Sequence, residues 1–188
     1  RIIQQNNEDS PYAIYQKAII LGLNNKVAES GIITIDLAAF LNNKEVVLFD
    51  IKPFLFMELI LKEKDFRAAL LTTDWSVYQN KVVGIYCTAD AIIPMWANML
   101  IVSALQPVAK AVYFGDESKV REQLLLDEIN KLTIQDYEEQ RVVIKGCGET
   151  PIGESAYVAI TQKLRPVVKS IMYGEPCSTV PVYKKKAP

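Results

Sequence analysis

Short apolar runs alternate with stretches of helical spacing along most of this chain, and that alternation restricts the fold more than any other feature. Apolar runs at 45–51, 81–86, 111–114, 141–145 and 167–172 have the length and β-branched content of strands. Between them, residues 54–71, the stretch carrying Pro94, Trp96, Leu100 and Leu105, residues 118–131 and residues 155–164 have helical periodicity. Strands that alternate with helices predict an α/β domain whose parallel strands are joined by right-handed crossovers. The expectation is a Rossmann-like three-layer sandwich: one mostly parallel sheet of about five strands, with helices on both faces. No internal repeat stands out.

Local signals sharpen some boundaries. Residues 31–41 read as a brief strand turning at Asp36 into a helical turn, and Asn42 and Asn43 supply a polar bend. DIKP at 50–53 closes a strand and opens a helix, because proline sits comfortably in a first turn where its missing N–H costs nothing. Asp90 is placed to cap the helix that follows it, and Thr133 with Asp136 has capping-box spacing. Val120, Leu124, Leu125 and Ile129 form one apolar helical face, and Trp75 is expected against the core. Pro107 and Pro166 interrupt their helices, since the residue before proline disfavours helical geometry. Residues 1–26 read as an N-terminal extension, helical over 11–23, and residues 27–188 as a single α/β domain.

Charge and cysteine usage exclude several functions. With 21 Lys plus Arg against 22 Asp plus Glu, the chain has no overall field to hold nucleic acid or an anionic membrane surface. The longest apolar run, 91–105, falls short of the roughly 20 residues that a membrane-spanning helix needs. The first residues lack the pattern of a signal peptide, and the expected location is the cytoplasm. Three widely spaced cysteines make a poor disulfide framework, which agrees with a reducing compartment. Histidine is absent, so acid–base chemistry would fall to Asp, Glu, Lys, Tyr or Cys.

All three cysteines stand at loop positions: Cys87 after KVVGIY, Cys147 within RVVIKGCGE, and Cys177 within GEPCSTVP. Ligands in parallel sheets bind beyond the carboxyl ends of the strands. If the strands ending at Cys87 and Cys147 are neighbours, their sulfurs share one crevice, and Cys87, Cys147 and Cys177 can hold zinc or an iron–sulfur cluster. The close CxxC pairs of a strong zinc signature are absent. A second reading is a small-molecule-binding protein or enzyme whose crevice uses Asp90, Lys145, Glu149 and Glu175, with Gly146 and Gly148 giving backbone freedom around a cofactor or anion. Neither a P-loop nor GxGxxG is present. A third is a structural or interaction protein that forms a homodimer. A nucleophilic cysteine would depend on a helix N-terminus at Cys87 or on Lys145 near Cys147.

Several phrases carry a resemblance to a known family: FDIKPFLF at 49–56, EKDFR at 63–67, CTADAIIPMWA at 87–97, SALQPVAK at 103–110, VVIKGCGE at 142–149, ESAY at 154–157 and LRPVVKSIMYGEPCSTVPVYK at 164–184. From about Val27 onward the chain resembles a bacterial family catalogued as a domain of unknown function, DUF twenty-four-eighty. The resemblance implies no reaction. It implies a link to iron–sulfur cluster assembly, and with it a protein partner in metal or cluster handling.

Overall fold

The computed structural model describes residues 31–146, 151–175 and 178–186. Among these the chain is mixed α/β, with seven strands in two sheets and four helices. It divides into two compact units. Asn43–Leu124 forms one, here the inserted unit; the described residues of Arg1–Asn42 and Leu125–Pro188 form the other, the split unit.

In chain order, β1 (Ile32–Asp36) leads into a 3-10 turn at Ala38–Leu41, and β2 (Val46–Asp50) into another at Lys52–Phe54. Then come α1 (Glu63–Thr72), a 3-10 turn at Trp75–Tyr78, β3 (Val82–Tyr86), α2 (Met95–Leu105) and β4 (Ala111–Phe114). The chain continues through α3 (Glu117–Lys131), a 3-10 turn at Ile134–Tyr137, β5 (Arg141–Lys145), α4 (Glu154–Leu164), β6 (Ser170–Glu175) and β7 (Ser178–Lys184).

The expected single sheet of about five strands is replaced by two smaller ones. The inserted unit holds a parallel sheet in the order β2-β3-β4. The split unit holds β1-β5-β6-β7, in which only β7 is antiparallel. β7 was not foreseen; its Pro181 suits a sheet-edge strand, where a missing N–H leaves no ladder bond unmade. β3 and β5 are buried along most of their length, which is why they read as continuous apolar runs rather than alternating ones.

Several local expectations hold. Val120, Leu124, Leu125 and Ile129 of α3 are buried, and Trp75 packs against the inserted unit's core. Others are corrected. The helix expected over 54–71 begins only at Glu63, because the chain first reverses through Met57 and Glu58, both with positive φ, and the Phe56 N–H donates to the Ile60 carbonyl. Asp90 does not cap α2: that helix starts at Met95 with Pro94 as its N-cap residue. The Thr133 side chain makes no capping bond, and the turn after it is 3-10.

The split unit also repeats the plan of the inserted unit, although no internal repeat stands out in the sequence. Val82 and Arg141, Ala111 and Ser170, Met95 and Glu154, and Trp75 and Ile134 open corresponding elements, and each pair lies 59 positions apart. The first strands follow a separation of 14: Val46 pairs with Val82 in one sheet as Ile32 pairs with Arg141 in the other. Backbone bonds outside the ladders repeat as well. Asn80 N–H donates to the Val108 carbonyl, and Glu139 N–H to that of Val167; both donors have positive φ. Helices α2 and α4 bury matching stripes, Ala97, Ile101 and Leu105 against Ala156, Ile160 and Leu164. Gly115 and Gly174, also equivalent, both have positive φ, a conformation that L side chains rarely adopt.

Candidate functional site

Two strand ends meet in the split unit. Asp36 and Lys145 are register partners on the parallel pair β1 and β5, so their side chains leave the sheet together. The Lys145 ammonium lies 3.4 Å from Asp36 Oδ2 and 3.8 Å from Glu175 Oε2, at the end of β6. Asp36 is held in turn by its own turn, since its Oδ1 accepts the Ala38 N–H at 3.0 Å. All three side chains are partly exposed, which leaves the group open to solvent or to a ligand.

Beside this cluster is a cavity of about 540 Å³. Residues 33–36 of β1 form one wall, and Glu128, Lys131 and Leu132 at the end of α3 form another. Ala39 and Phe40 come from the turn after β1, Asp136 and Tyr137 from the turn before β5, and Lys145 reaches it from the end of β5. The lining therefore carries three carboxylates and two ammonium groups around largely apolar walls. Lys131 is paired with Glu128 at 3.0 Å.

The equivalent strand ends of the inserted unit are arranged differently. Asp50 Oδ1 accepts N–H groups from Lys52 at 2.9 Å and Thr88 at 3.1 Å, and the Thr88 hydroxyl donates to Oδ2 at 2.6 Å. Burial pushes the Asp50 carboxyl up, but the Thr88 hydroxyl, the two N–H groups and the Lys52 charge outweigh it, and the pKa falls below its ordinary value. A carboxyl depressed by folding adds stability that is complete above its unfolded pKa of about 3.9 and is lost as pH falls through the lower folded value. Thr88→Val is accordingly expected to cost about 1 kcal/mol near neutral pH, and the deficit should shrink below about pH 4. Urea unfolding at a series of pH values checks this; a deficit that does not change with pH would contradict it.

Of the residues singled out from the sequence, Lys145 and Glu175 come together, and Asp36 joins them. Asp90 is exposed and belongs to the inserted unit. Cys87 is a free, partly buried thiol packed against that unit's core. Gly146 directly follows β5, with so little room that a Cβ there would collide with the Tyr157 hydroxyl. Cys147, Gly148, Glu149 and Cys177 lie outside the described residues. The premise that the strands leading to Cys87 and Cys147 are neighbours does not hold, because β3 and β5 belong to different sheets. Among the described residues no group of three or more His, Cys, Asp or Glu side chains is placed to hold a metal ion. Asp36 was read only as a turn residue. The signal that would have found it is the recurrence of TIDL and LFDI, two strands that each end in aspartate before a short helical turn.

Fold and site together define a mixed α/β protein of two similarly built units, one of which carries a cavity beside a lysine–carboxylate cluster. The family model described as "Protein of unknown function (DUF2480)" matches residues 22–185, and the chain belongs to that family. The match opens a few residues before Val27, where the resemblance was expected to begin. No curated protein and no solved structure matches the chain. No helix among the described residues is long and apolar enough to cross a membrane.

Proposed function

We propose that the split unit binds a small molecule in the cavity beside Lys145, with Lys145 and Asp36 as its polar anchors and Glu175 holding the lysine in place. The observation that carries this reading is the convergence of the three charged side chains at the carboxyl ends of β1, β5 and β6, with a cavity of about 540 Å³ that runs along β1 and reaches Asp36 and Lys145. Open parallel sheets take their ligands at that end of the strands. The volume falls within the roughly 300–1,000 Å³ of ordinary ligand pockets, and apolar walls with a few convergent polar groups are their usual lining. The chemistry also favours an organic ligand over a cation at this cluster. The Lys145 ammonium already supplies the positive charge that Asp36 and Glu175 would otherwise offer to a metal.

Protein-observed NMR with a library of small polar fragments tests the reading. Saturable shifts are expected at residues 33–36 and 145, and Lys145→Ala should weaken the best fragment at least about tenfold, the loss of one good polar contact. A library that leaves those resonances unmoved would overturn the proposal.

A further inference from the structure

The ligand class can be taken further by comparing the cavity with the same place in the inserted unit. There, four aromatic side chains fill the space between the edge strand β2 and the turn at Trp75–Tyr78. Phe49 stacks on Phe54 at 5.4 Å and on Trp75 at 5.6 Å, with ring planes 9° and 13° apart, and Tyr78 leans on Phe49 at 6.0 Å. The Trp75 indole N–H is anchored on the Leu70 carbonyl at 3.1 Å. The equivalent positions of the split unit hold Ile35, Phe40, Ile134 and Tyr137. Two of the four rings are kept, Phe40 and Tyr137, and both line the cavity together with Ile35, whereas Ile134 is not part of its lining. The two that are replaced, at the Phe49 and Trp75 positions, form one of the two parallel-stacked pairs, the other being Phe49 on Phe54. The split unit keeps an aromatic frame and lacks the flat rings at its centre.

The polar residues change in the same direction. Leu48, Ala69 and Val77 of the inserted unit correspond to Thr34, Glu128 and Asp136, all of which line the cavity. Thr34 is partly buried, Glu128 is ion-paired with Lys131 and Asp136 is exposed, so together they give an otherwise apolar cavity a polar edge. Groups of that kind serve a ligand with a hydrogen-bonding edge. Carboxylates outnumber ammonium groups in the lining, so an anion is disfavoured.

We infer that the cavity takes a flat aromatic or heteroaromatic molecule of one or two fused rings, neutral or cationic, seated against Ile35, where the inserted unit places its own Phe49 ring. The inference rests on the small-molecule reading above. Ring stacking between Phe40, Tyr137 and the ligand would take the place of the inserted unit's internal stack.

Titration of the full, isotope-labelled chain with indole and adenine, and with cyclohexanol and benzoate as counter-probes, tests it. Indole and adenine are expected to give saturable shifts at residues 33–36, 136 and 137, and the saturated alcohol and the anion to bind at least about tenfold more weakly. The double variant Ile35→Phe, Ile134→Trp restores the inserted unit's rings and should abolish the response. Ala39→Trp, made at an exposed lining position that leaves the core intact, should reduce it as well. Cyclohexanol or benzoate binding these residues as tightly as indole would sink the aromatic assignment and leave the small-molecule reading standing. Silence from indole and adenine would sink the assignment too, and silence from every probe and from the fragment library would sink both. Undiminished binding of indole by folded Ala39→Trp would place the ligand elsewhere and overturn the inference.

Discussion

Phe49→Ala should lower the unfolding free energy by about 3–5 kcal/mol. Phe49 is only 3% exposed and is the ring on which Phe54, Trp75 and Tyr78 converge. Truncation removes the transfer free energy of a whole ring and leaves a cavity that three neighbours, each tied to its own backbone turn, cannot collapse to fill. Trp75 is the least able to move, because its indole N–H is committed to the Leu70 carbonyl. The stacked pairs add a further increment, on the order of 0.5–1.5 kcal/mol each. Chemical denaturation of the variant beside its parent measures the loss. A change below about 1 kcal/mol would mean that this aromatic group is not the centre of the inserted unit's core.

Gly84→Val should destabilise by the opposite mechanism, overpacking, at about 3 kcal/mol. A Cβ at Gly84 would stand 2.6 Å from Val120 Cγ2, 2.7 Å from Leu48 Cδ2 and 3.0 Å from the Gly115 carbonyl oxygen. Real Cβ atoms do not tolerate the two shortest of these contacts, and relief is difficult. Val120 is fully buried, and the Gly115 backbone is fixed because its N–H donates to the Ile85 carbonyl at 2.9 Å. The equivalent position in the split unit is Val143, fully buried on β5, so the strand itself accepts a β-branched residue at that register. The cost at Gly84 therefore comes from its neighbours and not from the backbone. Thermal unfolding of Gly84→Val and of Gly84→Ala, the latter expected to lose less, checks the argument; a valine variant as stable as the parent would refute it.

Much of the secondary structure was legible because its signals are local. The buried face of α3, the helix ends just before Pro107 and Pro166, and the turn opened by Asp36 follow from periodicity and local backbone chemistry. Gln106 and Arg165 keep helical geometry, so the prolines act through the N–H they lack and not through the residue before them. The helix expected over 54–71 failed where its apolar positions masked a reversal: Phe56, Leu59 and Ile60 have helical spacing, yet the backbone turns through positive φ at Met57 and Glu58. The repeat was legible too, in LQPVAKAVYFG beside LRPVVKSIMYG. It went unseen because the corresponding first strands lie only 14 positions apart while the rest lie 59 apart, so no single period runs through the chain. Of the site, Lys145 was marked at a strand end and Glu175 in the loop expected after residue 172, whereas Asp36 carried no sign of its partner.

By itself, the sequence determined the order of the helices and of all strands but β7, most of the residues that face a core, and the strand ends at which Asp36 and Lys145 stand. Only the tertiary structure decided which strands are neighbours. It separated β3 from β5, set β1 beside β5 although some hundred residues divide them, and so brought Lys145 to Asp36. The physical reason is that parallel ladders are made by backbone groups common to every residue, so a strand's own residues do not name its partner. Partner choice follows from which apolar faces can be buried together, and that is a property of the whole packed unit. The cavity follows the same rule: Ile35 looks like an ordinary core residue until it is set against the equivalent Phe49, whose larger ring stacks on Phe54 and Trp75, while Ile35 lines a cavity.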